Sequence, residues 1–67
     1  MNKLKFLLKK AKLTQNDLRN LLKIKALSTI NLKLNEKSDF TTKEARLIKD
    51  EINRRLNTNY SIEDLFN

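Results

Sequence analysis

The absence of both glycine and proline from a chain of 67 residues limits its possible folds more than any other feature. Tight β-hairpins commonly depend on glycine, often as an Asn-Gly pair, because their turns need positive φ angles. The turns here must instead be made by Asn, Ser, Asp or Lys, of which Asn best tolerates a left-handed backbone. The composition therefore predicts an all-α chain.

The length leaves room for one domain, residues 1–67, with one small core. A domain of this size buries only about 60% of the surface that its unfolded chain exposes, which leaves little volume for a separate catalytic cleft. The chain also lacks His and Cys, and so lacks the usual general bases, thiolate nucleophiles and Cys/His zinc ligands. We therefore expect no enzyme, no catalytic residue, no metal site and no cofactor.

Local signals mark three helix starts. At each of them a hydroxyl residue precedes an acidic residue by three positions, as in a capping box, and an apolar pair brackets the start as a hydrophobic staple. The capping pairs are Thr14 with Asp17, Thr41 with Glu44, and Ser61 with Asp64. The staples are Leu13 with Leu18, Phe40 with Ala45, and Tyr60 with Leu65. The threefold recurrence is the strongest structural signal in the sequence.

Apolar residues at helical spacing complete a set of five helices. The predicted helices span about Asn2 to Lys12, 14–22, 26–34, 41–56 and 61–66. In the first, Leu4, Leu7, Leu8 and Ala11 form one stripe. In the third, Leu27, Ile30 and Leu34 share the face expected to be buried, and Asn35 is expected to end the helix.

Charge divides the chain into two unlike halves. Residues 1–37 carry ten Lys/Arg against two acidic residues (+8), and residues 38–67 carry five against six (−1), for a total of +7. A half so strongly basic attracts polyanions, although lysines also keep a small domain soluble. No apolar run approaches the ~20 residues that span a bilayer, so we expect a cytoplasmic protein that does not bind membranes.

Two short helices joined by a tight turn can place the second helix in the major groove of DNA. Residues 13–18, LTQNDL, resemble the Leu-Thr-Gln-x-x-Leu opening of the phage-repressor-like helix-turn-helix family, which includes Cro and the lambda-type repressors. Residues 29–35 resemble its recognition helix and exit. Residues 40–45, with Ile48, Leu65 and Phe66, resemble the tail of small phage-encoded members.

The resemblance spans nearly the whole chain, and it implies both a fold and a function. The fold is a compact five-helix bundle of the lambda-repressor-like kind, containing a helix-turn-helix. The function is transcription regulation in a lysis–lysogeny switch, with double-stranded operator DNA as the partner and the bacterial host cytoplasm as the location. Helix two is about 14–22 and the recognition helix about 26–34.

The same resemblance implies which side chains contact DNA. Asn31 is chemically suited to a bidentate contact with adenine, worth ~1–3 kcal/mol of discrimination. The base-reading residues are Ser28, Thr29 and Asn31. The phosphate contacts are Gln15, Lys25, Lys33 and Lys37. An ordinary solvated helix face remains the alternative interpretation of the base-reading residues.

The chain departs from the family pattern around the turn. Arg19 stands where family members usually have a small residue, and Lys23 stands where they usually have glycine. The segment between Leu22 and Thr29 is one residue longer than in the family pattern. Whether this turn still permits DNA binding stays open.

A second hypothesis starts from Leu32, which lies off the apolar stripe of the third helix. Some small phage proteins of this type act as antirepressors, or modulators of repression, by binding the phage repressor protein and blocking its DNA binding. In that case Leu32 contacts the protein partner. Another open question concerns a homodimer, because the C-terminal apolar residues either close the core or form a two-fold patch. These residues are Tyr60, Ile62, Leu65 and Phe66. We expect no small-molecule substrate.

Overall fold

The computed structural model describes residues 3–66, which form five α-helices and no strand. The helices are α1 (Leu4–Lys10), α2 (Gln15–Leu22), α3 (Leu27–Leu34), α4 (Thr42–Leu56) and α5 (Ile62–Phe66). The all-α prediction is therefore confirmed for the described residues. The expected start of the first helix at Asn2 lies outside them.

The three predicted capping pairs all form. The Thr14 hydroxyl accepts the Asp17 N–H at 3.1 Å, and the Asp17 carboxylate accepts the Thr14 N–H at 2.9 Å. The same two hydrogen bonds measure 3.1 and 2.9 Å between Thr41 and Glu44, and 3.1 and 3.0 Å between Ser61 and Asp64. Each pair satisfies N–H groups that a helix start otherwise leaves without partners.

The ends of α1 to α4 share one backbone motif. A left-handed residue follows each helix, and the next N–H donates to the carbonyl five residues earlier at 2.9–3.1 Å. This pattern is the Schellman motif. The left-handed residues are Lys12, Lys23, Glu36 and Asn57, with φ between 55° and 61°. Asn35 does end α3, but it is the following Glu36 that takes the left-handed conformation.

The core is centred on α4, which packs against α1, α2 and α5. Leu18, Ile48, Ile52 and Leu65 have no exposed surface. α3 packs against α2 and contributes a single fully buried residue, Ile30. Leu34 is half-buried.

The predicted inner face of α3 needs one correction. Leu27 is 43% exposed, although the apolar spacing placed it with Ile30 and Leu34. Position 27 is the first residue of the helix, and it lies about 60° around the helix axis from the anchoring Ile30, at the edge of the buried face. The buried side of α3 is consequently narrower than the stripe suggested.

The C-terminal residues pack into the core of the same chain. Leu65 is buried, and Tyr60 and Phe66 pack against the core. The rings of Phe66 and Phe40 pack edge-on, with 5.6 Å between their centroids. The side-chain oxygen of Asn53 accepts the backbone N–H of Tyr60 at 2.8 Å, and its NH₂ group donates to the Tyr60 carbonyl at 2.9 Å. Within residues 3–66, no helix has the length and apolar character required to span a bilayer.

Candidate nucleic-acid interface

The turn between α2 and α3 is tied to the end of α2. It comprises residues 23–26, and the Ile24 N–H donates to the carbonyl of Arg19 at 3.0 Å. The Lys23 N–H is close to the Asn20 carbonyl at 3.4 Å. Ile24 is half-buried and packs against the core. The chain therefore enters α3 from a backbone that α2 holds in place.

The Arg19 side chain adds a brace across the same turn. Its Nη1 donates to the Lys25 carbonyl at 3.3 Å, while its buried Nε has no hydrogen-bond partner among the described residues. The guanidinium thus lies along the turn, at a position where the family pattern has a small residue. An arginine here contacts backbone that a small residue would not reach.

The outward face of α3 lies opposite Ile30. Ser28, Asn31 and Leu32 are exposed, and Asn35 continues this face at the end of the helix. Ser28 and Leu32 are the residues farthest around the helix from Ile30, since the α-helix turns 100° per residue. This face therefore combines small polar side chains with one large apolar side chain.

Two of the three predicted base-reading residues, Ser28 and Asn31, lie on this face. Thr29 is half-buried on the flank that it shares with Lys33, one turn farther along. Asn35 takes its place on the outward face, although it was predicted only as a helix end. The signal for Asn35 was available in its spacing of four residues from Asn31, which puts both amides on one side of the helix.

Three of the predicted phosphate contacts are exposed, namely Gln15, Lys25 and Lys37. Gln15 occupies the first helical position of α2, and the two lysines stand on either side of α3 in the sequence. Their accessible side chains leave them able to meet a phosphate backbone.

Lys33, the fourth expected phosphate contact, is occupied inside the protein. Its ammonium lies 2.9 Å from a Glu44 carboxylate oxygen, 3.0 Å from the Asp39 carbonyl and 5.6 Å from the centre of the Phe40 ring. Its side chain is only 11% exposed. Lys33 therefore fastens α3 to the start of α4, and we leave it out of the candidate interface.

The Lys33 ion pair also acts on the carboxylate. Burial raises the pKa of Glu44, but the Thr41 N–H and the Lys33 ammonium together outweigh burial and lower it below its ordinary value. Glu44 consequently stays ionised at neutral pH while it serves both α3 and the cap of α4.

Helix α1 borders the outward face of α3, which the sequence did not indicate. The Lys5 ammonium donates to the side-chain oxygen of Asn35 at 3.0 Å. Phe6, 68% exposed, lines an open groove between α1, the start of α2 and the end of α3. Gln15 and Asn31 line the same groove. The candidate interface therefore includes one side of α1, with exposed Lys5 and Lys9.

No family model, curated protein or solved structure matches this chain.

Proposed function

We propose that the chain is a small phage-type transcription regulator that binds operator DNA through a helix-turn-helix formed by α2 and α3. The observation that carries the proposal is the outward face of α3, where Ser28, Asn31 and Asn35 are exposed, as are Lys25 and Lys37 on either side of this helix in the sequence. The resemblance of the sequence to phage-repressor-like proteins supports a role in a lysis–lysogeny switch.

Base reading would fall to the polar side chains of α3. The major groove is ~12 Å wide and admits one α-helix. An asparagine amide can donate to N7 and accept from N6 of the same adenine, and a serine hydroxyl can pair with several base edges. Asn31 and Ser28 have both the chemistry and the exposure for these contacts.

Affinity would come mainly from the lysines around this face. Each phosphate that a lysine neutralises releases a condensed counterion, so binding weakens as salt increases, with a slope of about one per contact. Lys25 and Lys37 are exposed, whereas the ammonium of Lys33 is held by Glu44. Lys37 and Lys33 therefore carry equal charge, but only Lys37 is expected to contribute to DNA affinity.

Fluorescence anisotropy with a labelled duplex, titrated at several salt concentrations, tests the proposal. Lys37→Met should weaken binding on all sequences and reduce the salt slope by about one. Lys33→Met removes the same charge, and it should leave the slope unchanged while lowering the urea midpoint of unfolding. Absence of duplex binding by the unaltered chain at low salt would contradict the proposal.

A second candidate function is the antirepressor, and the exposed apolar side chains favour it. Leu32 is 50% exposed in the middle of the outward face, and Phe6 borders that face from α1. Exposed apolar side chains grouped within a polar surface often mark protein contacts. Since Lys5 lines the groove with Phe6 and Lys37 lies beside Leu32, the matching surface of a phage repressor would be acidic around an apolar centre. Leu32 could instead touch a thymine methyl group in DNA.

Leu32→Lys separates the two candidates. A cation at this position should keep or improve duplex binding by adding a phosphate attraction, but it should disrupt an apolar protein interface. Retention of a purified phage repressor by the unaltered chain, lost in Leu32→Lys, would establish the antirepressor. Loss of duplex affinity in the same variant would instead assign Leu32 to the DNA contact.

A further inference from the structure

Three side chains form a hydrogen-bonded chain across the candidate interface. The Lys5 ammonium in α1 donates to Oδ1 of Asn35 at 3.0 Å. Asn35 Nδ2 donates in turn to Oδ1 of Asn31 at 2.6 Å. This hydrogen-bonded chain thus starts in α1 and ends on Asn31 of α3, the side chain best suited to reading a base.

The positive charge of Lys5 fixes the donor-to-acceptor direction of this hydrogen-bonded chain. An ammonium has three donors and no acceptor, so it can meet only the oxygen of the Asn35 amide. The Asn35 NH₂ group must then face Asn31, and because NH₂ only donates, it meets the Asn31 oxygen. Turning either amide over would bring two donors together, so Lys5 determines the orientation of both.

The consequence for Asn31 is a defined pattern on the exposed surface. Its NH₂ group is the part of the amide directed away from Asn35, and its oxygen keeps a second lone pair. A donor and an acceptor side by side match N7 and N6 of adenine. An amide without this restraint could rotate and present the two groups in the opposite order.

We infer that Lys5 and Asn35 are positioning residues, which hold Asn31 in the orientation that prefers adenine at one position of the bound DNA. This inference rests on the proposed function, since it concerns how the same face of α3 selects a sequence. Lys5 acts on base preference from α1 through two intervening hydrogen bonds.

The protein offers a matched control for this inference. Lys10 is an exposed lysine of the same helix that lies outside the candidate interface, and among the described residues its side chain has no hydrogen bond or ion pair. Lys5→Met and Lys10→Met both remove one positive charge, but only the first removes the start of the hydrogen-bonded chain. Asn31→Ala and Asn35→Ala remove its other two members.

The first experiment measures base preference. A library of short duplexes with randomised centres is bound by the unaltered chain, and the position whose adenine preference disappears in Asn31→Ala is identified. Two duplexes that differ only there are then compared by competition. Asn31→Ala should reduce the affinity ratio roughly tenfold, Asn35→Ala and Lys5→Met should reduce it several-fold, and Lys10→Met should leave it unchanged.

The affinity ratio distinguishes positioning from charge, since both duplexes feel the same electrostatic attraction. If Asn35→Ala and Lys5→Met keep the full ratio while Asn31→Ala loses it, the inference is overturned and the proposed function stands. If the unaltered chain binds no duplex in the library, the proposed function fails and this inference fails with it.

A second measurement needs no DNA. In the NMR spectrum of the free protein, Lys5→Met should shift the side-chain NH₂ resonances of Asn35 and Asn31, whereas Lys10→Met should not. Resonances unchanged by Lys5→Met would show that the hydrogen-bonded chain is missing in solution and would overturn the inference directly.

Discussion

α2 and α3 are equal in length, at eight residues each, but they are stabilised in different ways. α2 begins with a complete capping box at Thr14 and buries both Leu18 and Leu22. α3 has no side-chain cap at its N-cap residue, Ala26, and it buries only Ile30 completely. The contacts that stabilise α2 come largely from its own cap and apolar residues, whereas α3 depends for its stability on contacts from other helices.

The difference shows how a small domain can leave one helix face free for a partner. A helix of eight residues is unstable alone in water, so α3 requires contacts from outside. These contacts include Ile30 in the core, Lys33 at Glu44 and Asn35 at Lys5. These contacts secure the inner side and the C-terminal end of α3, and they leave Ser28 and Leu32 exposed.

The largest expected effect comes from removing the core contact of α3. Ile30→Ala should lower the free energy of unfolding by about 3 kcal/mol, because it deletes the only fully buried side chain of that helix and leaves a cavity. Leu32→Ala, on the exposed face, should change it by less than about 0.5 kcal/mol. Urea unfolding followed by circular dichroism measures both. Equal losses in the two variants would show that Ile30 does not anchor α3.

An intermediate effect is expected at the helix starts. Thr14→Ala should cost about 1 kcal/mol, because the Asp17 N–H loses its acceptor. Ala26→Ser should act in the opposite direction and stabilise the protein by up to about 1 kcal/mol, since it supplies the cap that α3 lacks. The same urea experiment compares them. A destabilised Ala26→Ser variant would show that the start of α3 cannot accept a capping hydroxyl.

The smallest expected effect is the part of the loss of stability in acid that originates at the starts of α2 and α5. The backbone N–H groups of Thr14 and Ser61 hold the pKa values of Asp17 and Asp64 below the ordinary 3.8. Because the unfolded chain then binds protons more readily, the contribution is complete above the ordinary pKa and is lost as pH falls through the lowered values.

Urea midpoints measured from neutral pH down to about pH 3 test this expectation, since ordinary carboxyl groups begin to protonate in that range. Asp17→Asn should show a shallower loss of stability in acid than the unaltered chain. An identical pH profile in the two proteins would rule out a contribution from Asp17. α3 should add nothing to the effect through its own start, because it has no acidic residue in its first turn.

The sequence predicted the helix starts well because a capping box is local. Thr14 and Asp17, like Thr41 and Glu44, are three residues apart, and their hydrogen bonds depend on little beyond that spacing. The same locality explains why the prediction of five helices was correct for the described residues.

The site was predicted less completely, because it depends on how α3 packs. Apolar spacing placed Leu27 on the buried face, yet only its neighbour Ile30 reaches the centre of the core. Lys33 looks like any other lysine until α4 brings Glu44 to it, eleven residues away. The contact between Lys5 and Asn35 spans thirty residues, and no local pattern in the sequence predicts such a pair.

The left-handed lysine between α2 and α3 has a consequence for molecular recognition. With a side chain at Lys23, the turn has fewer backbone conformations available than glycine would allow, both folded and unfolded. The Arg19 brace restricts the turn further. We therefore expect a macromolecule that binds α3 to meet a preformed turn, so that most mutual fitting comes from long surface side chains or from the incoming molecule.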